Sequence, residues 1–204
     1  MHSPISNSPV FVVFEGLDGA GKSSSARDLA DKISAELICT SSREIADQVK
    51  TLKQNYLHHQ EICHYLYLRV VEEASDRAKE ILASGRSVVM DRYLLSTTVY
   101  AKARGSQLHD KRDYSQLLAP DLTVFLSLEP NERKRRLQMR DCLTMEDIES
   151  LKESFEHDLL QGYIELKEHR IVGEWLQIDS KLSTENITER VVEHIDHLLA
   201  KKNI

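Results

Sequence analysis

The chain has 204 residues, 33 acidic and 27 basic side chains, and a net charge of −6. That length suits one domain of roughly 150 residues with a small insert, large enough to bury most of its unfolded surface. The acidic balance excludes the broad basic face that duplex nucleic acid requires, but not a local cationic pocket for a small phosphorylated ligand.

Residues 1–9 read as a loose leader, and residues 10–204 as one α/β domain. Val10 to Phe14 is an unbroken apolar run, the pattern of a strand buried on both faces. A Gly-rich turn follows, then a helical pattern from about Lys22 to Ala35. Glu36 to Cys39 is a short second strand, Thr40 to Arg43 a polar loop and Ile45 to Leu57 a weaker helix. A long helix is expected from about Gln60 to Ser84, stopped by Gly85. Ser87 to Asp91 is a buried strand ending in an acid, and Ser96 to Arg104 is helical. His109 to Pro120 is a polar connector with a short helix. Leu122 to Leu128 is another buried strand, Asn131 to Arg140 a basic helix and Asp141 to Glu146 a mobile connection. One long amphipathic helix is expected from there to about His169. Trp175 to Asp179 is the last strand and Thr184 to Lys202 the closing helix. Strands alternating with helices imply a parallel sheet with helices on both faces.

Cys39, Cys63 and Cys142 are odd in number and widely spaced. They outline neither a zinc site nor a disulfide framework, and are expected to be small core residues of a reducing compartment, the cytoplasm. The longest apolar run is too short to span a bilayer, so no membrane partner is expected. The nine histidines form no metal-ligand pattern and are expected to be solvated or capping.

Gly16-Leu17-Asp18-Gly19-Ala20-Gly21-Lys22-Ser23 fits GxxxxGK[ST] without a mismatch, between a buried strand and a helix. Glycines let successive backbone N–H groups turn inward to form an anion nest, and the helix adds the positive end of its dipole. In such a loop Lys22 reaches the β- and γ-phosphates of ATP and Ser23 ligates Mg²⁺. The motif by itself gives a nucleotide-binding P-loop and does not choose between kinase, ATPase and switch.

Three ordered segments resemble the thymidylate kinase family of P-loop kinases. They are Phe14 to Ser23; Asp91-Arg92-Tyr93 followed by Ser96-Thr97-Thr98-Val99-Tyr100; and Pro120-Asp121-Leu122 leading through a strand to Glu129-Pro130 and the Arg-rich helix. The chain departs from ordinary thymidylate kinases at Thr40-Ser41-Ser42-Arg43-Glu44, which lacks their Pro-Gly-Gly turn, and at Ala101, where they carry Gln. In both respects it looks more like the mitochondrial-type UMP-CMP kinase branch of the family. The resemblance implies a five-stranded parallel sheet with helices on both faces, a lid at about residues 133–147, and a homodimer paired through long helices.

The implied reaction is transfer of the ATP γ-phosphoryl group to a pyrimidine nucleoside 5′-monophosphate, with Mg²⁺. Phosphorylation of a hydroxyl on a nucleoside or other small molecule, and a regulatory nucleotide-binding protein, are the alternatives. The expected catalytic residues are Lys22, Asp91, Arg92, Arg136 and Arg140. Asp91, at a strand end, holds Mg²⁺ with Ser23, and Arg92 bridges the acceptor phosphate and the transferring group. ATP is expected to contact Gly16, Leu17, Asp18, Gly19, Ala20, Gly21, Lys22, Ser23 and Ser24. By the resemblance it also meets Arg133 and Arg136 of the lid, where an arginine stacks on adenine or reaches phosphate. Arg136 and Arg140, four residues apart, share one helix face. Asp18 is a candidate for the acceptor sugar hydroxyl, Tyr100 for base or sugar, and Arg43 for phosphate. By the resemblance Tyr65 stacks on the acceptor base and Arg69 bonds the base or its phosphate; on pattern alone, a core aromatic is the alternative reading of Tyr65.

Overall fold

The computed structural model describes residues 8–40, 60–108, 113–140 and 143–202. The helix expected at Ile45–Leu57, Arg43, most of the Thr40–Glu44 stretch, His58, His59, residues 109–112 of the connector and Cys142 lie outside the described residues; the rest of the connector, 113–120, forms a turn and no helix. The elements run β1 (Phe11–Gly16), α1 (Lys22–Ile33), β2 (Glu36–Cys39), α2 (Gln60–Ala83), β3 (Val88–Asp91), α3 (Leu94–Ala103) and β4 (Leu122–Ser127). They continue with α4 (Pro130–Gln138), α5 (Met145–Ser150), α6 (Glu153–Leu166), β5 (Glu174–Asp179) and α7 (Thr184–Lys202). A 3₁₀ turn at Arg170–Val172, which no sequence pattern marked, precedes β5.

All five strands are parallel, in the order β2-β3-β1-β4-β5. The central strand β1 is buried along its whole length, as its apolar run requires. Successive side chains of a strand alternate between faces. Val12 and Phe14 therefore pack against α1 and α7, with Leu29, Ile187, Val191 and Ile195. Phe11 and Val13 pack on the other face with Leu68, Val71 and Ala78 of α2 and Leu94 of α3. On that same face α6 covers β4, burying Leu159 and Tyr163 against Leu95, Val99 and Phe125.

Gly85 closes α2 as expected. It stands at φ +81°, a region costly for a residue with a Cβ, and the Arg86 N–H turns back to the Ile81 carbonyl at 3.3 Å. The single long helix expected before His169 is instead two helices. Thr144 and Asp147 form a capping box that starts α5. The Ser150 carbonyl, which a continuous helix would keep for itself, accepts from Arg133 Nη2 at 2.7 Å, and α6 restarts at Glu153.

The chain leaves β1 toward β2 and β3 on one side and later crosses to β4 and β5 on the other. In an open parallel sheet this opens a crevice beyond the carboxyl ends of the strands, where ligands bind. Gly16–Gly21, Thr40, Arg92 and Ser180 all follow strand carboxyl ends at this edge.

Candidate active site

The loop after β1 must turn sharply over its neighbour. Gly16 adopts φ +138°, and a Cβ there would lie 2.5 Å from the Leu126 carbonyl oxygen, so only glycine fits. Gly21, at φ +85°, caps α1 with no side-chain cap hydrogen bond. The first N–H groups of α1 thus face the crevice with the dipole's positive end. Lys22 is buried and its Nζ donates to the Leu17 carbonyl at 2.7 Å. Burial, and then the nearby Arg92, push its ammonium down to about 7, against Asp18, Asp91 and Glu15.

Ser23 Oγ donates to Asp91 Oδ2 at 2.5 Å, and Asp91 is 3 % exposed at the end of β3. Asp91 Oδ1 is buried with no hydrogen-bond partner. An orphaned carboxylate oxygen beside a serine hydroxyl is a hard-oxygen donor pair, and Mg²⁺ takes one or two such groups plus phosphates and water. The residues present fit that ion.

Arg92 follows Asp91 in the left-handed region, at φ +66°. Its Nη1 donates to Ser96 Oγ at 3.0 Å and to the Gly16 carbonyl at 3.4 Å, and its Nη2 pairs with Asp18 Oδ1. Tyr100 donates its phenol to Asp18 Oδ2 at 2.7 Å, and its ring centroid lies 5.4 Å from the Arg92 guanidinium carbon. Burial alone would raise the Asp18 carboxyl; Arg92, Lys22 and the Tyr100 hydroxyl outweigh it and hold Asp18 down to about 2. Burial and the Asp18 carboxylate together push the Tyr100 phenol far up.

A cavity of about 260 Å³ opens beside the loop, lined by Gly19, Gly21, Ser24, Arg136, Arg140, Ser180 and Thr184. Arg136 donates to Ser180 Oγ at 3.1 Å and to its carbonyl at 2.8 Å; Arg140 Nη1 pairs with Asp147 at 2.8 Å. A larger cavity of about 530 Å³ lies between α6 and the β4–β5 edge. Phe125, Trp175, Leu160 and Ile164 form much of its wall, which suits apolar matter better than phosphate.

The structure thus brings Lys22, Ser23, Asp18, Asp91, Arg92 and Tyr100 together, and sets Arg136 and Arg140 beside the loop. Arg133 points the other way on α4. It is 1 % exposed and turned inward to Glu156 at 2.9 Å, to Ser150 and to the Asp18 carbonyl at 3.4 Å. It braces the loop against α5 and α6. Tyr65 and Arg69 sit one turn apart on α2, about half exposed, so Tyr65 is no core aromatic; Arg69 pairs with Glu72. Cys39 is a correction: it is exposed, its Sγ 3.8 Å from Asp91 Oδ2, because β2 is an edge strand. His64, expected to be solvated or capping, is instead buried and bonded through Nδ1 to Ser106 Oγ at 2.8 Å.

Sequence reasoning missed Glu15, Ser96, Tyr163 and Ser180. Glu15 carried a signal: a carboxylate closing an apolar strand must be buried, hence partnered. Burial pushes its carboxyl above the usual range, against the Ser96 hydroxyl and Arg92. Ser180 and Tyr163 carried none, since their roles depend on which elements pack together.

A family model described as thymidylate kinase matches residues 14–191. A thymidylate kinase of Bacillus velezensis is 28 % identical over 211 residues, 95 % of this chain and 98 % of that one. A probable thymidylate kinase of Thermococcus onnurineus is 29 % identical over 213 residues, 95 % and 100 % of the two chains. Among solved structures, the thymidylate kinase of Candida albicans superposes with a TM-score of 0.70 at 21 % identity, covering 93 % of this chain and 92 % of that one. A deoxyadenosine kinase of M. mycoides gives 0.68 at 16 % identity, covering 92 % and 99 %. At those identities, the two superpositions speak for the fold alone.

Two outcomes follow from the geometry. Arg133→Ala removes a buried guanidinium and leaves the partly buried Glu156 without its cation, which should cost up to about 3–5 kcal/mol, read by urea denaturation. A loss of ATP affinity at unchanged stability would instead make Arg133 a nucleotide ligand. For Asp18, the folded value of about 2 lies below the ordinary 3.8. A depressed carboxyl contributes stability that is complete above its unfolded value and lost as pH falls through the folded one. Between pH 4 and 2 the protein should therefore lose about 1–2 kcal/mol through this group. Asp18→Asn should flatten that part of the acid limb in thermal melts.

Proposed function

The chain belongs to the thymidylate kinase family, and from that premise we propose that this site passes the γ-phosphoryl group of ATP to the 5′-phosphate of a pyrimidine nucleotide. The protein is an ATP-dependent nucleoside monophosphate kinase. The observation that carries the site assignment is Arg92: a half-buried guanidinium held over the P-loop by Gly16 and Asp18, next to Lys22. A phosphoryl transfer needs little covalent chemistry from the protein; it needs two polyanions aligned and their charge balanced.

In this reading, the inward-turned backbone N–H groups of Gly19 to Ser24 hold the ATP phosphates, with Gly16, Leu17 and Asp18 shaping the turn. Lys22 leaves the Leu17 carbonyl for the β- and γ-phosphates. Ser23 and Asp91 hold Mg²⁺, which when bound offsets the charge developing on the phosphates. Arg136 and Arg140 close over ATP from the lid, since the loop has no cation between Gly16 and Gly21. Arg92 takes the acceptor phosphate, Asp18 and Tyr100 face its sugar, and Tyr65 and Arg69 its base. Arg43 remains a proposed phosphate contact. Residues 10–204 form the catalytic domain, with the lid at about 133–147.

The finer specificity is also proposed. Ala101, following Tyr100 on α3, offers no amide to a base edge, and the Thr40–Glu44 stretch lacks the Pro-Gly-Gly turn. These two departures support a relationship to the UMP-CMP branch, with CMP, UMP, dCMP and dUMP used at least as well as dTMP. A cytoplasmic homodimer is the assembly proposed. No described helix is long and apolar enough to cross a membrane, and Ile62 is exposed on α2.

ADP release, measured with a panel of nucleosides and nucleoside monophosphates, tests the reading. Pyrimidine monophosphates should outpace purine ones and all nucleosides. A preference for nucleosides would move the acceptor to a hydroxyl, and a tenfold preference for dTMP would remove the branch assignment. Arg92→Ala should lower kcat/KM for the monophosphate by the roughly 2–5 kcal/mol of a desolvated charge pair while ATP binding changes little. An equal loss of ATP affinity would put Arg92 on the donor side.

A further inference from the structure

Glu15 lies beyond the residues that face substrate, yet its environment ties it to them. It is fully buried at the end of β1, two residues from Val13 and hence on the α3 side of the sheet. Four donors converge on its carboxylate. Oε1 accepts from the backbone N–H of Tyr93 at 3.0 Å and of Ser96 at 3.2 Å. Oε2 accepts from the Ser96 hydroxyl and, at 3.4 Å, from the phenol of Tyr163 on α6. The same Ser96 oxygen accepts from Arg92 Nη1 at 3.0 Å.

Arg92 needs such support. A non-glycine residue at φ +66° is strained, and strain of this kind persists only where the surroundings over-determine it. Three contacts do so. The Arg92 N–H donates to the Phe14 carbonyl at 3.0 Å, Thr40 Oγ1 donates to the Arg92 carbonyl at 3.0 Å, and Glu15 takes the next N–H, that of Tyr93. Glu15 also stands in for a missing cap. Tyr93 is the N-cap of α3 and supplies no side-chain cap hydrogen bond. The Glu15 carboxylate satisfies two N–H groups there and faces the positive end of the helix dipole.

We infer that Glu15 is a positioning residue for the acceptor phosphate: through Ser96 and the Tyr93 peptide it holds the Arg92 guanidinium at the angle at which it meets that phosphate. This rests on the reading of Arg92 as the acceptor clamp. Tyr163 extends the arrangement to α6, the helix that follows the lid, so that lid and acceptor site share one buried anion. A clamp misplaced by about 1 Å can cost on the order of 10²-fold in rate.

The test compares Glu15→Ala, Glu15→Gln and Ser96→Ala in the full chain, with KM for monophosphate and for ATP, kcat of the folded fraction, and melting temperature. Glu15→Ala should raise the monophosphate KM at least tenfold and leave the ATP KM within twofold. Glu15→Gln keeps an acceptor for both N–H groups and should recover most of that loss. Ser96→Ala, which spares the caps but cuts the link to Arg92, should raise the same KM by a smaller factor of about three to ten. A fall in melting temperature with unchanged monophosphate KM and kcat, or an equal rise in both KM values, would overturn the inference. If Glu15→Ala does not fold, Ser96→Ala decides it: an unchanged monophosphate KM refutes the inference. Should the wild-type protein phosphorylate no monophosphate, the proposed function fails separately. The Arg92 Nε–Hε signal in NMR spectra of the ligand-free protein then decides about Glu15. Its loss in Ser96→Ala supports positioning, and its persistence refutes it.

Discussion

One strained peptide unit, Arg92 at φ +66°, sets the geometry of this crevice. β3 must end there for the chain to turn into α3, and the residue at the turn carries the guanidinium that spans the P-loop. An ordinary residue would relax out of this conformation. It stays because β1 and β2 lie on either side of β3's end, through Phe14, Glu15 and Thr40. The central position of β1 in the sheet is what makes this possible, because one strand end supplies both the P-loop and the restraint on Arg92.

Around that turn, cations and anions are held close in a dry setting. Lys22 and Arg92 face Asp18, Asp91 and Glu15, with little water to screen them. Buried pairs of this kind contribute little net stability once their desolvation is counted. Their value is positional. Arg92 cannot swing away from Asp18 and Ser96 without leaving a charge uncompensated, so its guanidinium is already fixed over the loop; under the proposed function, less reorganisation would remain for the chemical step. Tyr100 adds a hydroxyl to Asp18 and a ring face to Arg92, restraining both partners.

The basic helix α4 divides its labour. Arg133 faces inward and fastens the Asp18 carbonyl, Ser150 and Glu156 together. Arg136 and Arg140 face the cavity beside Gly21 and are held by Ser180, Glu132 and Asp147. One arginine ties the loop to α5 and α6, and the two beside it keep guanidinium donors at the cavity rim.

The sequence by itself determined the order and kind of the strands and most helices, because unbroken apolar runs and helical spacing are local patterns that any buried parallel sheet imposes. It determined the phosphate loop, since a fixed spacing of glycines, lysine and serine has one mechanical use, and it singled out Asp91 and Arg92 at a strand end. Its basic run could not tell Arg133 from Arg136, because the difference lies in which side of α4 meets α5 and α6. Nor could it find the break at Ser150, the exposure of Cys39, or the partnership of Glu15 with Ser96 and Tyr163. Those residues are separated in the chain by as many as 148 positions. Only the tertiary structure decides such contacts, because the free energy of a buried charge depends on the donors that the fold brings to it, not on its neighbours in sequence.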